Sequence, residues 1–188
     1  GNPAGELTAC GVDPAELDAV LLSHAHVDHI YALPSLLHNM WLLKRSGPLK
    51  IFANAPTLET ARTLCAVFGL EQKLGMFRVD WIVFPKQAMA LGPFILETFP
   101  TVHGASTLGF VFSAGGKKLA YFADTAPLAD RPSSAIGADA VIHEAGGVEA
   151  GESALNVQGH CSGRQAALAA GKISLTDQDP PALFLCHL

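Results

Sequence analysis

The chain has 188 residues, 49% of them hydrophobic and 15% charged, and a formal net charge of -5 with neutral histidines. This composition supports one buried core of ordinary domain size and excludes intrinsic disorder. Bulk acidity also argues against a grip on long stretches of nucleic acid, since neutralising phosphates takes Lys and Arg, and no apolar run is long enough to span a membrane.

In chain order, Leu17–Leu22 is a short apolar run after Asp13-Pro14 and predicts a buried strand. A His-rich stretch follows. Leu33, Leu36, Leu37, Met40 and Trp41 then recur at helical spacing, with Gly47-Pro48 expected to close that helix. A strand is predicted at Lys50–Ala53, then a helix with Asn54 or Ala55 near its cap, Pro56 in its first turn and Gly69 just past its end. Apolar runs at Val79–Phe84, Phe94–Phe99 and Leu108–Ser113 predict three strands. The turn Ala114-Gly115-Gly116 joins the last of them to Lys118–Ala123 as a hairpin. Ala140–Ile142 is a further short strand, Arg164–Ala170 an Ala-rich helix stopped by Gly171, and Ala182–Cys186 a final strand after Pro180-Pro181. Strands mixed with helices point to an α/β or layered α+β fold, and the absence of repeats or linkers points to a single domain over residues 1–188.

Chemistry concentrates at Ser23-His24-Ala25-His26-Val27-Asp28-His29, directly after the first strand. Imidazoles and a carboxylate this dense on a strand-to-helix turn suit zinc and related transition metals. The pattern H-x-H-x-D-H resembles that of the metallo-β-lactamase fold superfamily. Further on, His103 lies in a loop after Phe94–Phe99, Asp124 ends the strand Lys118–Ala123, and His187 ends the last strand. The resemblance implies an αββα sandwich with His24, His26 and His103 on one metal ion, Asp28, His29 and His187 on a second, and Asp124 bridging them.

Two more stretches narrow the resemblance to ribonuclease Z and its phosphodiesterase relatives. Val141-Ile142-His143-Glu144-Ala145 is similar to their His-Glu-Ala-Thr motif. Gly159-His160-Cys161-Ser162, with Arg164-Gln165-Ala166-Ala167 after it, is similar to their His-Ser-Thr motif and its helix. Seven of the eight histidines thus fall where the family predicts them, leaving His38 as a solvent-facing or partly buried helix residue. The implied chemistry is hydrolysis of a phosphodiester by a hydroxide held between the metals, with Asp28 orienting it or taking its proton. His160, held by Glu144, would protonate the leaving alkoxide. Asp28, Glu144 and His160 are therefore the expected catalytic residues.

There are departures from the family pattern. His-Cys-Ser replaces His-Ser-Thr, and Gly146 stands where Thr is usual. The segment between His103 and Asp124 has no room for the long basic arm of ribonucleases Z that mature transfer RNA. The expected substrate is accordingly a small phosphodiester or an RNA end, with no extended nucleic-acid arm and no membrane. Two divalent ions are expected, zinc first, with Mn, Fe or Co as alternatives. Only 23 residues precede His24 and one follows His187, so the fold is expected to lack its N-terminal strands and C-terminal end here, with Gly1 corresponding to the family's Asp-Cys-Gly-like turn. The four cysteines form no C-x-x-C pair and read as small buried residues in a reducing compartment. With no signal peptide the default location is the cytoplasm. A homodimer is left open. The rival readings are a hydrolase of the same fold acting on an ester, thioester or lactone, and a non-catalytic scaffold.

Overall fold

A computed structural model of the chain describes residues 2–175 and 180–187; Gly1, and any turn it would form, lies outside them. The chain divides into two compact units, Gly1–Phe84 and Pro85–Leu188.

The first unit runs α1 (Pro3–Ala9), β1 (Ala19–Leu21), α2 (Val27–Ile30), α3 (Leu33–Leu42), β2 (Leu49–Ala53), α4 (Ala55–Val67) and β3 (Val79–Val83). Its strands form a sheet of order β1-β2-β3, parallel throughout, with Val20 opposite Ile51 and Ile51 opposite Trp81. Parallel neighbours require crossovers, which α3 and α4 supply. Leu37 and Met40 of α3, Leu49 and Ile51 of β2 and Ala61 of α4 are all at most 1% exposed and lie in one core. Each large side chain buried in this way is worth roughly 1.5–3 kcal/mol.

Several local expectations are corrected. The first strand is shorter than Leu17–Leu22, because Pro14–Glu16 forms a 3-10 turn that includes Leu17 as its cap; the Asp13 carboxylate accepts from the Ala15 N–H at 2.8 Å. Helix α3 ends at Leu42, well before Gly47-Pro48. Lys44 takes the left-handed conformation (φ 63°), its N–H donates to the Trp41 carbonyl at 3.0 Å, and Arg45 N–H donates to Met40 at 3.0 Å. This double bond is the Schellman arrangement with lysine in the place glycine usually takes. The Arg45 guanidinium then holds the turn by donating to the carbonyls of Ala15, Gly47 and Pro48. Helix α4 follows the expected design: Asn54 accepts from Thr57 N–H at 2.9 Å, and Gly69 (φ 59°) makes the left-handed exit. His38 is partly buried as expected, its Nδ1 2.8 Å from Lys73 Nζ and its ring stacked on Trp41. Helix α1, capped by Asn2, has no counterpart among the elements the sequence predicts.

The second unit runs β4 (Met89–Leu91), β5 (Phe94–Pro100), β6 (Leu108–Ala114), β7 (Lys117–Tyr121), β8 (Ala140–Glu144), α5 (Glu152–Val157), α6 (Gly163–Ile173) and β9 (Ala182–Cys186). Its sheet order is β4-β5-β6-β7-β8-β9: the first four strands form an antiparallel meander, while β7, β8 and β9 are parallel, with α5 and α6 in the crossover between β8 and β9. Val111, Ala120, Phe122, Val141 and Ile173 build its core. Gly109 pairs with Phe99 across β5 and β6, and the Phe99 ring occupies the space a Cβ there would need. Strand β4 and helix α5 likewise lie outside the elements the sequence predicts. Helix α6 passes through Gly171 to Ile173, so one glycine does not stop a helix whose buried face is anchored by Ala166, Ala170 and Ile173. Cys65 and Cys161 are buried and Cys186 half-buried, but Cys10, just past α1, is exposed. No helix among the described residues is long and apolar enough to cross a membrane.

Candidate metal centre

In the first unit the backbone carries β1 into the His-rich turn. Leu22 N–H still donates to the Phe52 carbonyl at 2.9 Å, and His26, in extended conformation (φ -64°, ψ 149°), caps α2. His24 is fully buried, with Nδ1 3.1 Å from the Ser23 hydroxyl. Its ring centroid lies 4.7 Å from that of His26 and 4.1 Å from that of His29. Asp28 and His29 are neighbours on α2, carboxylate to Nε2 3.3 Å. His24 and His26 each offer a nitrogen within 4.8 Å of the other. Four expected ligands of the motif are therefore gathered on one turn, because three rings and a carboxylate follow one another where a strand bends into a helix.

In the second unit the ligands come from separate loops. Asp124 follows β7 after Phe122, whose N–H still pairs with Ile142, and after Ala123, which is left-handed (φ 52°). The His103 loop is tied to the Asp124 loop by three bonds: Thr101 Oγ1 donates to Asp124 O at 2.9 Å, Val102 N–H to Thr125 Oγ1 at 3.1 Å, and Ala126 N–H to Val102 O at 2.7 Å. His187 directly follows β9, also left-handed (φ 59°). The buried Asp124 carboxylate then meets three imidazoles, His187 Nε2 at 3.5 Å, His103 Nε2 at 3.8 Å and His160 Nδ1 at 4.0 Å.

These distances lie at or beyond the reach of a direct hydrogen bond. Asp124, His160 and His187 offer ligand atoms all within 4.8 Å of one another. The donor set is imidazole and carboxylate, as zinc-type ions prefer. His103 is also prepared as a ligand. Its Nδ1 lies 2.9 Å from the Gly159 carbonyl, which can only accept, so the proton sits on Nδ1 and the Nε2 lone pair faces Asp124. The second unit's residues thus fit a bound divalent ion.

Glu144, at the end of β8, is fully buried. Its carboxylate accepts from the Thr125 N–H and lies 3.0 Å from His160 Nδ1. Burial raises its pKa against the pull of the Thr125 N–H, His160 and the Cys161 N–H, while Asp124 pushes it further up. His160 Nδ1, 4.0 Å from the Asp124 carboxylate, is also the atom engaged with Glu144. His143 is not part of this group. It shares a strand face with Val141, stacks on Phe122 at 4.8 Å, and Nδ1 donates to the Glu144 carbonyl at 2.9 Å.

Three supporting residues have roles that only the fold reveals. Gly159 (φ 84°) passes so close to His103 that a Cβ would sit 2.8 Å from its Nδ1 and 2.9 Å from its Cα. Thr125 serves Glu144 with its N–H and Val102 with its hydroxyl. Glu152 accepts from Ser162 Oγ at 2.5 Å and from Arg164, which anchors the loop after His160 to the start of α6. A glycine before a His and an acid ten residues from a Ser carry no signal until the fold places them.

The model of the β-lactamase superfamily domain family matches residues 6–187. A curated ribonuclease Z of Methanococcus maripaludis (strain C6) is 24% identical over 113 residues, 59% of this chain and 36% of that protein. The chain covers 38% of a second such relative, so it spans little more than a third of the first curated relatives. Among solved structures, human tRNase Z, short form, aligns with a TM-score of 0.79 at 19% identity, over 97% of this chain and 77% of that one. The metallo-β-lactamase fold protein YhfI from Bacillus subtilis aligns with a TM-score of 0.73 at 24% identity, over 98% and 71%. The mixed α/β fold expected from the sequence is the one these structures have. The chain belongs to the β-lactamase superfamily, with the metallo-β-lactamase fold of these structures.

Proposed function

We propose that the protein is a dinuclear metal-dependent hydrolase that cleaves a phosphodiester bond, its substrate a small phosphodiester or an RNA end, working in the cytoplasm as one domain. In this reading His24, His26 and His103 serve one ion, Asp28, His29 and His187 the other, and Asp124 both. Zinc is the first expectation, and Mn, Fe or Co suit the same donors. When bound, two such ions supply Lewis-acid stabilisation of the phosphoryl group and a nucleophile at neutral pH. Asp28 orients the attacking water. Glu144, accepting from His160 Nδ1, holds that ring so that Nε2 is left to hand a proton to the departing oxygen.

The single observation that carries the reading is the buried Glu144 paired with His160 beside Asp124. A leaving alkoxide needs such an acid, whereas hydrolysis of an activated ester does not. The likeness to proteins named ribonuclease Z supports the same branch. The test is metal analysis of the full-length protein together with rates on bis-p-nitrophenyl phosphate and p-nitrophenyl acetate. About two ions per chain and a clear preference for the phosphodiester are expected. A preference for the ester would move the assignment to the ester, thioester and lactone hydrolases of the same fold. Absence of bound metal would leave a scaffold.

A further inference from the structure

A cavity of about 190 Å³ lies in the second unit, walled by Phe122, Leu128, Pro132, Leu168 and Ile173 and by the His143 ring. Along β8, His143 shares its face with the core residue Val141, and Glu144 points to the opposite face. One strand therefore separates this cavity from the Glu144–His160 pair. Cavities of about 150 Å³ with apolar walls already admit a benzene-sized ring, so the space suits a planar ring with a substituent.

The walls are not apolar throughout. His143 is 1% exposed, and its Nδ1 is committed to the Glu144 carbonyl, which leaves Nε2 as the ring's remaining polar atom. Four charged residues border the space: Arg131, Arg164, Lys172 and Asp130. Arg164 is held by Glu149 and Glu152. Arg131 donates to the Lys172 backbone carbonyl at 3.2 Å, and both residues line the space beside the one carboxylate of Asp130. An apolar chamber with a cationic rim is the arrangement for a ligand with an apolar body and one anionic group.

We propose that this cavity is a second ligand site, separate from the metal centre, for a small aromatic acid whose ring lies between Phe122 and Leu168 and whose anion meets Arg131 and Lys172. Nothing in the proposed hydrolysis uses these residues, so the two readings stand or fall separately.

The probe is 1-naphthylacetate, titrated into the metal-loaded, full-length protein by calorimetry, with the His143 ring resonances followed by NMR. Saturable binding of one equivalent that shifts His143 is expected. The uncharged 2-(1-naphthyl)ethanol should bind about fivefold more weakly or worse, as should the acid to the Arg131→Gln/Lys172→Gln variant, in line with rim-exposed ion pairs. Leu168 is 53% exposed and Leu168→Trp fills the chamber from its edge, so that variant should fold, keep its rate on a small phosphodiester, and lose the probe. Equal affinity for acid and alcohol, full affinity in Leu168→Trp, or displacement of the probe by the phosphodiester would each overturn the proposal.

Discussion

The two units gather chemistry-bearing side chains in opposite ways. In the first, one turn between β1 and α2 carries His24, His26, Asp28 and His29, and its geometry follows from six consecutive residues. In the second, His103, Asp124 and His187 each follow a different strand and His160 lies between α5 and α6, and they meet only because the loops are pinned to one another. A local cluster depends on its own sequence. A distributed one depends on backbone bonds made by residues that never touch a ligand, so damage to it should come from positions that look inert.

The sharpest break in the distributed set is Asp124→Ala. It removes the carboxylate around which His103, His160 and His187 sit, and should cost more bound metal than alanine at any one of those histidines or at His24 or His26. Elemental analysis of the folded variant reads this directly. An unchanged metal content would show that the local cluster holds the ions without it.

Next in size is His160→Ala. If His160 carries a proton, both ions stay bound while kcat on a phosphodiester with an alkoxide leaving group falls by about 10²–10⁴-fold. The loss should shrink with p-nitrophenolate as leaving group, and Glu144→Gln should show the same dependence more weakly. Release of metal from His160→Ala would instead place His160 among the ligands, where its position near Asp124 and His187 also allows it to stand.

Gly159→Ala tests the contrast itself, because it changes no polar group. A Cβ there would intrude on His103 and force strain at φ 84°, so metal affinity should fall by about 10–100-fold, as for loss of an outer-shell partner. Competition against a chelator measures it. Ala25→Gly, inside the local turn, should be milder in the same assay.

The smallest effect concerns the thiols. Burial pushes Cys65 and Cys161 up to about 12 and raises Cys186 as well. At pH 7.5 iodoacetamide should therefore label the exposed Cys10 first in the native protein, with the other three reacting only on unfolding; peptide mapping would show the order.

What the sequence made legible follows the same division. The metal motif could be read in full because its ligands are contiguous, and the hydrophobic runs placed most strands within two residues. His103, Asp124 and His187 could be proposed only by their order behind that motif, since each alone is an ordinary loop residue. The helical spacing runs on past the end of α3 because nothing in Lys44 announces a left-handed cap; the stop is made by bonds back to Met40 and Trp41. Gly171 signals an earlier end to α6 than the fold makes, because it weakens a helix locally while burial of Ala170 and Ile173 outweighs that cost. The role of Gly159 was invisible because its partner, His103, is far away in the chain.

Ala123 has a consequence for anyone who would engineer this protein. It is 1% exposed, holds a positive φ next to Asp124, and so carries a steric penalty of roughly 1–2 kcal/mol that glycine would not. A library screened for thermal tolerance alone has Ala123→Gly within easy reach. The same exchange removes the methyl group that limits how the Asp124 peptide can rotate. Selection on heat resistance would then drift toward a looser Asp124 loop, and a screen that scores turnover alongside melting would reject the same substitution.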